Sequence, residues 1–158
     1  MARGWNMIRK EIVTKAPVIK TSYVAEKVRY GDALRIYIEA EAPDGDMLKI
    51  ASVVDQVGYG HYPTDWIYLK PQYQQHFRGY LQWNTFSSSA SYMGEWTQIT
   101  LKVSVFDKAG NESNIVIFPF RFVSEAVPES QSPPPFYEGD PRLGYLNINL
   151  LEPSLTGG

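Results

Sequence analysis

The sequence contains no cysteine, only 2 histidines and almost no net charge, with 15 Lys+Arg set against 17 Asp+Glu for a formal −2 at pH 7. Each shortage removes a class of protein. Without cysteine there is no disulfide framework, no thiolate metal site and no cysteine nucleophile. Acids and bases mixed along the chain leave no basic surface for nucleic acid or for an anionic membrane. No window approaches the roughly 20 apolar residues that a membrane-spanning helix requires. The opening stretch, Met1-Ala2-Arg3-Gly4-Trp5-Asn6-Met7-Ile8-Arg9-Lys10, holds neither an apolar run nor a small-residue cleavage site, so no signal peptide is visible. There is no internal repeat. What remains is a chain of 158 residues, a length that predicts one domain able to bury roughly 70% of its unfolded surface without covalent staples.

What is present in quantity is period two. In Leu34-Arg35-Ile36-Tyr37-Ile38-Glu39-Ala40-Glu41-Ala42 the even positions are apolar and the odd ones are Arg, Tyr or Glu, the signature of a half-buried strand. Pro43-Asp44-Gly45-Asp46 follows as a turn, because Pro presets φ, Asp bonds its own backbone and Gly tolerates positive φ. Residues 47–57 then read as the returning strand. A second hairpin is as plain. Ile99, Leu101, Val103 and Val105 share one face of 96–106, a turn occupies 107–112, and Val116, Phe118, Phe120 and Phe122 alternate through 113–123. Pro119 lacks the amide donor of an interior ladder position, which places that strand at an edge or a bulge. Residues 17–24 and 79–85 are further strands. The stretch 71–77 suits one or two helical turns, while Trp5, Ile8 and Ile12 have helical spacing in a segment that could equally be extended.

About seven short strands, 12 Gly and 11 Pro at the turns, and little helix argue an all-β chain folded as an antiparallel β-sandwich. The run Val103-Ser104-Val105-Phe106-Asp107-Lys108-Ala109-Gly110-Asn111-Glu112-Ser113 resembles the last hairpin of bacterial immunoglobulin-like (fibronectin-III-like) domains, where V-x-V-x-D-x-A-G-N-x-S joins the two final strands. The likeness extends more loosely over 17–28 and 31–50, and the Cys…Trp…Cys pattern of antibody domains is absent. The resemblance implies a non-catalytic structural or protein-interaction module of an exported or cell-surface assembly, and hence a periplasmic or cell-surface place. The residues alone leave the cytoplasm open.

The expected organisation is an N-terminal extension at 1–16 and an immunoglobulin-like sandwich at 17–123 with a long irregular insertion at 58–95. A Pro-rich linker at 124–142 and a strand-like tail at 143–158 complete it. The linker reading follows from Pro128, Pro133, Pro134 and Pro135 among Ser, Glu and Gln. The tail alternates, with Leu146, Ile148 and Leu150 on one face, and can add a strand to this sheet or dock on the sheet edge of another chain, where main-chain hydrogen bonds supply affinity. In the docking case, removal of 124–158 leaves the sandwich folded.

Candidate chemistry is thin. Asp107, Gly110 and Asn111 carry oxygens of the kind calcium takes, but a tight hairpin needs the same residues for its own backbone. Asp44 and Asp46 lack the rest of an EF-hand loop, and the sequon Asn111-Glu112-Ser113 lies inside that turn. His61 and His76 have no cysteine to complete a zinc site. Ser87, His76 and Asp65 compose a triad only on paper, with no G-x-S-x-G elbow, and Gly58-x-Gly60 lacks a dinucleotide loop's third glycine. No catalytic residue, metal ligand or cofactor is therefore expected. The informative feature is the aromatic density of the insertion: Tyr59, Tyr62, Trp66, Tyr68, Tyr73, Trp83, Tyr92 and Trp96 lie beside Gln72, Gln74, Gln75, Gln82 and Asn84. Such rings suit a protein partner or self-association. Beside amides they also suit a carbohydrate, and they suit equally the edge of a core.

Overall fold

A computed structural model describes residues 15–86, 97–125, 127 and 132–151. These form ten strands in two sheets, with no α-helix among the described residues. In chain order the strands are β1 (Val18–Tyr23), β2 (Lys27–Arg29), β3 (Ala33–Glu41), β4 (Met47–Gln56), β5 (Gly60–His61), β6 (Asp65–Tyr68), β7 (His76–Asn84), β8 (Gln98–Asp107), β9 (Val116–Val123) and β10 (Arg142–Leu146). One sheet has the order β1-β3-β7-β10; the other runs β2-β9-β8-β4-β5, with β6 also pairing β4. The fold is an all-β sandwich.

Two expectations need correction. The strand number is ten rather than about seven, because β2, β5 and β6 span only two to four residues, too few for alternation to register. The sheets are mixed rather than antiparallel: β2 runs parallel to β9, and β10 parallel to β7. Parallel partners come from distant sequence, and no turn signal announces them.

The anticipated hairpins are present and pack as their parity requires. Leu34, Ile36, Ile38 and Ala40 of β3 are buried, and they face Ile50 and Val54 of β4 and Leu101, Val103 and Val105 of β8 in one core. The 71–77 stretch makes a single 3-10 turn at Pro71–Tyr73, after which β7 starts at His76, ahead of the expected residue 79. Pro119 pairs with Thr100 on one side only, since β2 reaches β9 no further than Arg121. Its missing donor therefore faces an open edge.

The last elements depart most from the expected plan. Leu146, Ile148 and Leu150, expected as docking residues, are at most 5% exposed in the core of this chain itself, so of the two fates open to the tail the structure realises the first. Trp83 is fully buried, and its Nε1 donates to the Ile148 carbonyl at 3.0 Å. A closed set of bonds holds the end of the tail: Tyr62 Oη donates to Gln56 Oε1, Gln56 Nε2 donates to the Leu151 carbonyl at 2.9 Å, and the Leu151 amide donates to Tyr62 Oη at 2.8 Å. Part of the stretch read as a linker is also laid against the sheet. Phe136 joins Tyr37 and Tyr80 in a small aromatic cluster on the outer face of the four-stranded sheet. Arg78 Nε donates to Asp140 Oδ1 at 3.0 Å, and the Tyr80 amide donates to the Pro141 carbonyl at 3.0 Å. That approach requires Gly79, where a Cβ would collide with the Pro141 carbonyl oxygen and lie 2.9 Å from Leu143 Cγ. Gly144 does the same for the other layer, since a Cβ there would stand 2.7 Å from Ile67 Cγ2 of β6.

Candidate interaction face

The residues expected to bind divide by strand parity. On β6, Ile67 points into the core while Trp66 (41% exposed) and Tyr68 (65% exposed) point out. Register sets Tyr68 and Phe106 opposite Lys49, and Trp66 and Ser104 opposite Ala51, so the outward side chains of β6, β4 and β8 form rows. The Trp66 and Phe106 rings meet edge to face at 5.4 Å and 67°, and Lys49 Nζ lies 4.2 Å from the Trp66 centroid and 5.8 Å from that of Tyr68. One row further, Lys102 stands between Val53 and Ile117, the latter 57% exposed. The result is a face on the outside of the six-stranded sheet in which aromatic and aliphatic side chains surround Lys49 and Lys102.

Charged groups rim this face. Asp55 accepts from Lys102 Nζ at 3.1 Å and pairs with His61 Nδ1. Partial burial works to raise the Asp55 pKa, but the hydrogen bonds and charges of His61 and Lys102 outweigh it and hold the carboxyl below its ordinary value. Asp65, at the inner side of β6, goes the other way: burial raises its pKa, while a hydrogen bond from the Asn147 backbone pulls it down in part.

The other expected residues do not join this face. Tyr62 and Trp83 are buried, a correction to their placement as binding residues. Trp83 shares its strand parity with Phe77 and Leu81, and that parity faces the core. Tyr62 is drawn in by its bond to Gln56. Tyr59 is exposed, with its ring centroid 4.5 Å from that of Tyr62, and Tyr73 is half-buried against the core. Tyr92 and Trp96 lie outside the described residues, as does Ser87 of the paper triad. The histidine and acid of that triad are on different sheets: His76 Nε2 bonds Glu39 at 2.9 Å on β3, and Asp65 is on β6. Lys49, Phe106 and Ile117 escaped notice in the sequence, although Phe106 and Ile117 occupy the outward parity of strands whose inward residues were recognised; for 47–57 no face was assigned.

The 107–112 turn is built from its own side chains. Asp107, 2% exposed, accepts from the Asn111 amide at 2.8 Å and from Asn111 Nδ2 at 3.0 Å, and Gly110 takes a φ of +89°. Both carboxylate oxygens are thus used in closing the turn. Among the described residues no three His, Asp or Glu side chains converge as metal ligands, and no helix is long and apolar enough to cross a membrane. Compared with known proteins, the chain matches no family model and no curated sequence.

Proposed function

We propose that the chain is a non-catalytic, immunoglobulin-like structural and protein-interaction module of an exported or cell-surface assembly, and that the outer face of the six-stranded sheet is its contact surface. The observation that carries this reading is the grouping of Trp66, Tyr68 and Phe106 around Lys49, with Ile117 two rows further along the same outer face. Exposed apolar patches of this kind mark interaction sites, and Trp and Tyr are the residues on which interface energy concentrates. Support for the immunoglobulin-like type comes from the terminal hairpin and from the distribution of strands. β1, β3 and β7 lie in one sheet and β4, β8 and β9 in the other, as A, B, E and C, F, G do in such sandwiches. The exported setting rests on the resemblance of 103–113 alone.

In a native extract of the producing cells, the chain should travel in a particle larger than its own 18.0 kDa. Trp66→Gln with Tyr68→Gln should release it as a monomer while lowering Tm by no more than about 4 °C, as expected for surface substitutions. A parent that travels as a monomer, or a variant that keeps the particle, contradicts the reading. The carbohydrate alternative for the same aromatics has less behind it: Trp66 stands at 67° to Phe106, so the two make no coplanar row of rings.

A further inference from the structure

We infer that the opposite sheet carries a site of a different chemical class: a groove for a neutral saccharide where the chain leaves β10 beside the end of β7, lined by Asn84, Asn147, Asn149, Phe86 and Tyr145. This site is independent of the interaction face. The groove has a volume of about 380 Å³, within the usual range of small-ligand sites. Its origin is the same alternation that buries the tail. Leu146, Ile148 and Leu150 go inward, so Tyr145, Asn147 and Asn149 go outward. Leu146 is level with Trp83, which brings Asn147 beside Asn84, each one residue further along its strand.

The chemistry of the lining selects the ligand. Among the described residues the Asn147 and Asn149 side chains have no hydrogen-bond partner, and that of Asn84 has only a 3.4 Å bond from Gln82 Nε2 to its Oδ1. Each amide offers two donors beside an acceptor, which matches hydroxyl groups that donate and accept at once. Among the described residues no acidic or basic side chain lines the groove, so none of them offers a metal ion or a phosphate a charged counterpart there. The Phe86 and Tyr145 rings, 58% and 46% exposed, add apolar surface for the C–H faces of a sugar ring. Arg142, 4.3 Å from the Tyr145 centroid, packs on that ring and steadies it. The amides stand on a strand and its continuation tied down by Trp83 and Gln56, so the backbone that carries them is ordered before binding.

The test is side-chain amide NMR of the full chain titrated with glucose, mannose, galactose, N-acetylglucosamine and their disaccharides. At least one should shift the Asn84, Asn147 and Asn149 side-chain resonances with a Kd on the order of 1 mM or tighter. Asn147→Ala with Asn149→Ala should weaken it about tenfold, two hydrogen bonds' worth, with the remaining spectrum unchanged. Tyr145→Ala should weaken it comparably, and Trp66→Gln with Tyr68→Gln should leave it intact. Silence from every sugar overturns the inference. So do shifts that survive the Asn variants, or shifts that track Trp66 and Tyr68 and so place binding on the other sheet.

Discussion

Asp65 shows how one residue can weaken the fold it belongs to. Its Oδ2 is buried with no hydrogen-bond partner, and burial raises its pKa. An acid whose folded pKa lies above its unfolded value of about 3.9 costs stability once pH exceeds that value, because the folded state resists ionising. The cost is complete above the folded pKa and vanishes below the unfolded one. Asp65→Asn keeps an oxygen for the Asn147 amide and removes the charge, so it should raise Tm at pH 7 by about 2–4 °C. The advantage over the parent should fade to nothing as pH falls below about 4, which thermal melts across that range would show. An equal advantage at every pH would locate the effect in packing. Asp55 has the opposite sign: its pKa is lowered by His61 and Lys102, so its contribution is present above its unfolded pKa and is lost on acidification through its folded pKa.

Among the elements, the C-terminal tail carries more of the core than its terminal position suggests. Leu146, Ile148 and Leu150 are buried, and each such side chain contributes about 1.5–3 kcal/mol. Removing them also uncovers Trp83 and leaves its Nε1 without the Ile148 carbonyl. The combined loss rivals the whole stability of a domain, about 5–15 kcal/mol. A chain ending at residue 141 should therefore lose its cooperative melt and its near-ultraviolet tryptophan signal. A truncated chain with a sharp transition within about 4 °C of the parent would show that the tail is an appendage. The alternation at 143–151 was legible in the sequence. Its destination was not, because a parallel partner and a glycine-mediated approach at Gly79 leave no local signal. β3, β8 and β9 were legible for the opposite reason: each keeps one face apolar over eight to ten residues and is joined to its neighbour by recognisable turn chemistry. The binding residues divided the same way. Trp83 follows the buried parity of Leu81, and Trp66 and Tyr68 follow the exposed parity opposite Ile67, so orientation could have been read from neighbours once each strand was placed.

For the whole molecule, the two outer faces differ in kind. The four-stranded sheet is partly roofed by 132–141, through Phe136 on Tyr37 and Tyr80 and through Asp140 on Arg78. The six-stranded sheet has no such cover among the described residues, and there Trp66, Tyr68 and Ile117 meet solvent. On the reading proposed above, the face that carries Trp66 and Tyr68 is the one a partner covers. The most direct measurement places a photo-crosslinking amino acid at position 68, and separately at the exposed Lys20 of the other sheet, in the chain as its own cells make it. The account predicts a discrete protein adduct from position 68, lost when Trp66 is replaced by Gln, and none from position 20. Equal labelling from both positions, or no adduct from position 68, would contradict it.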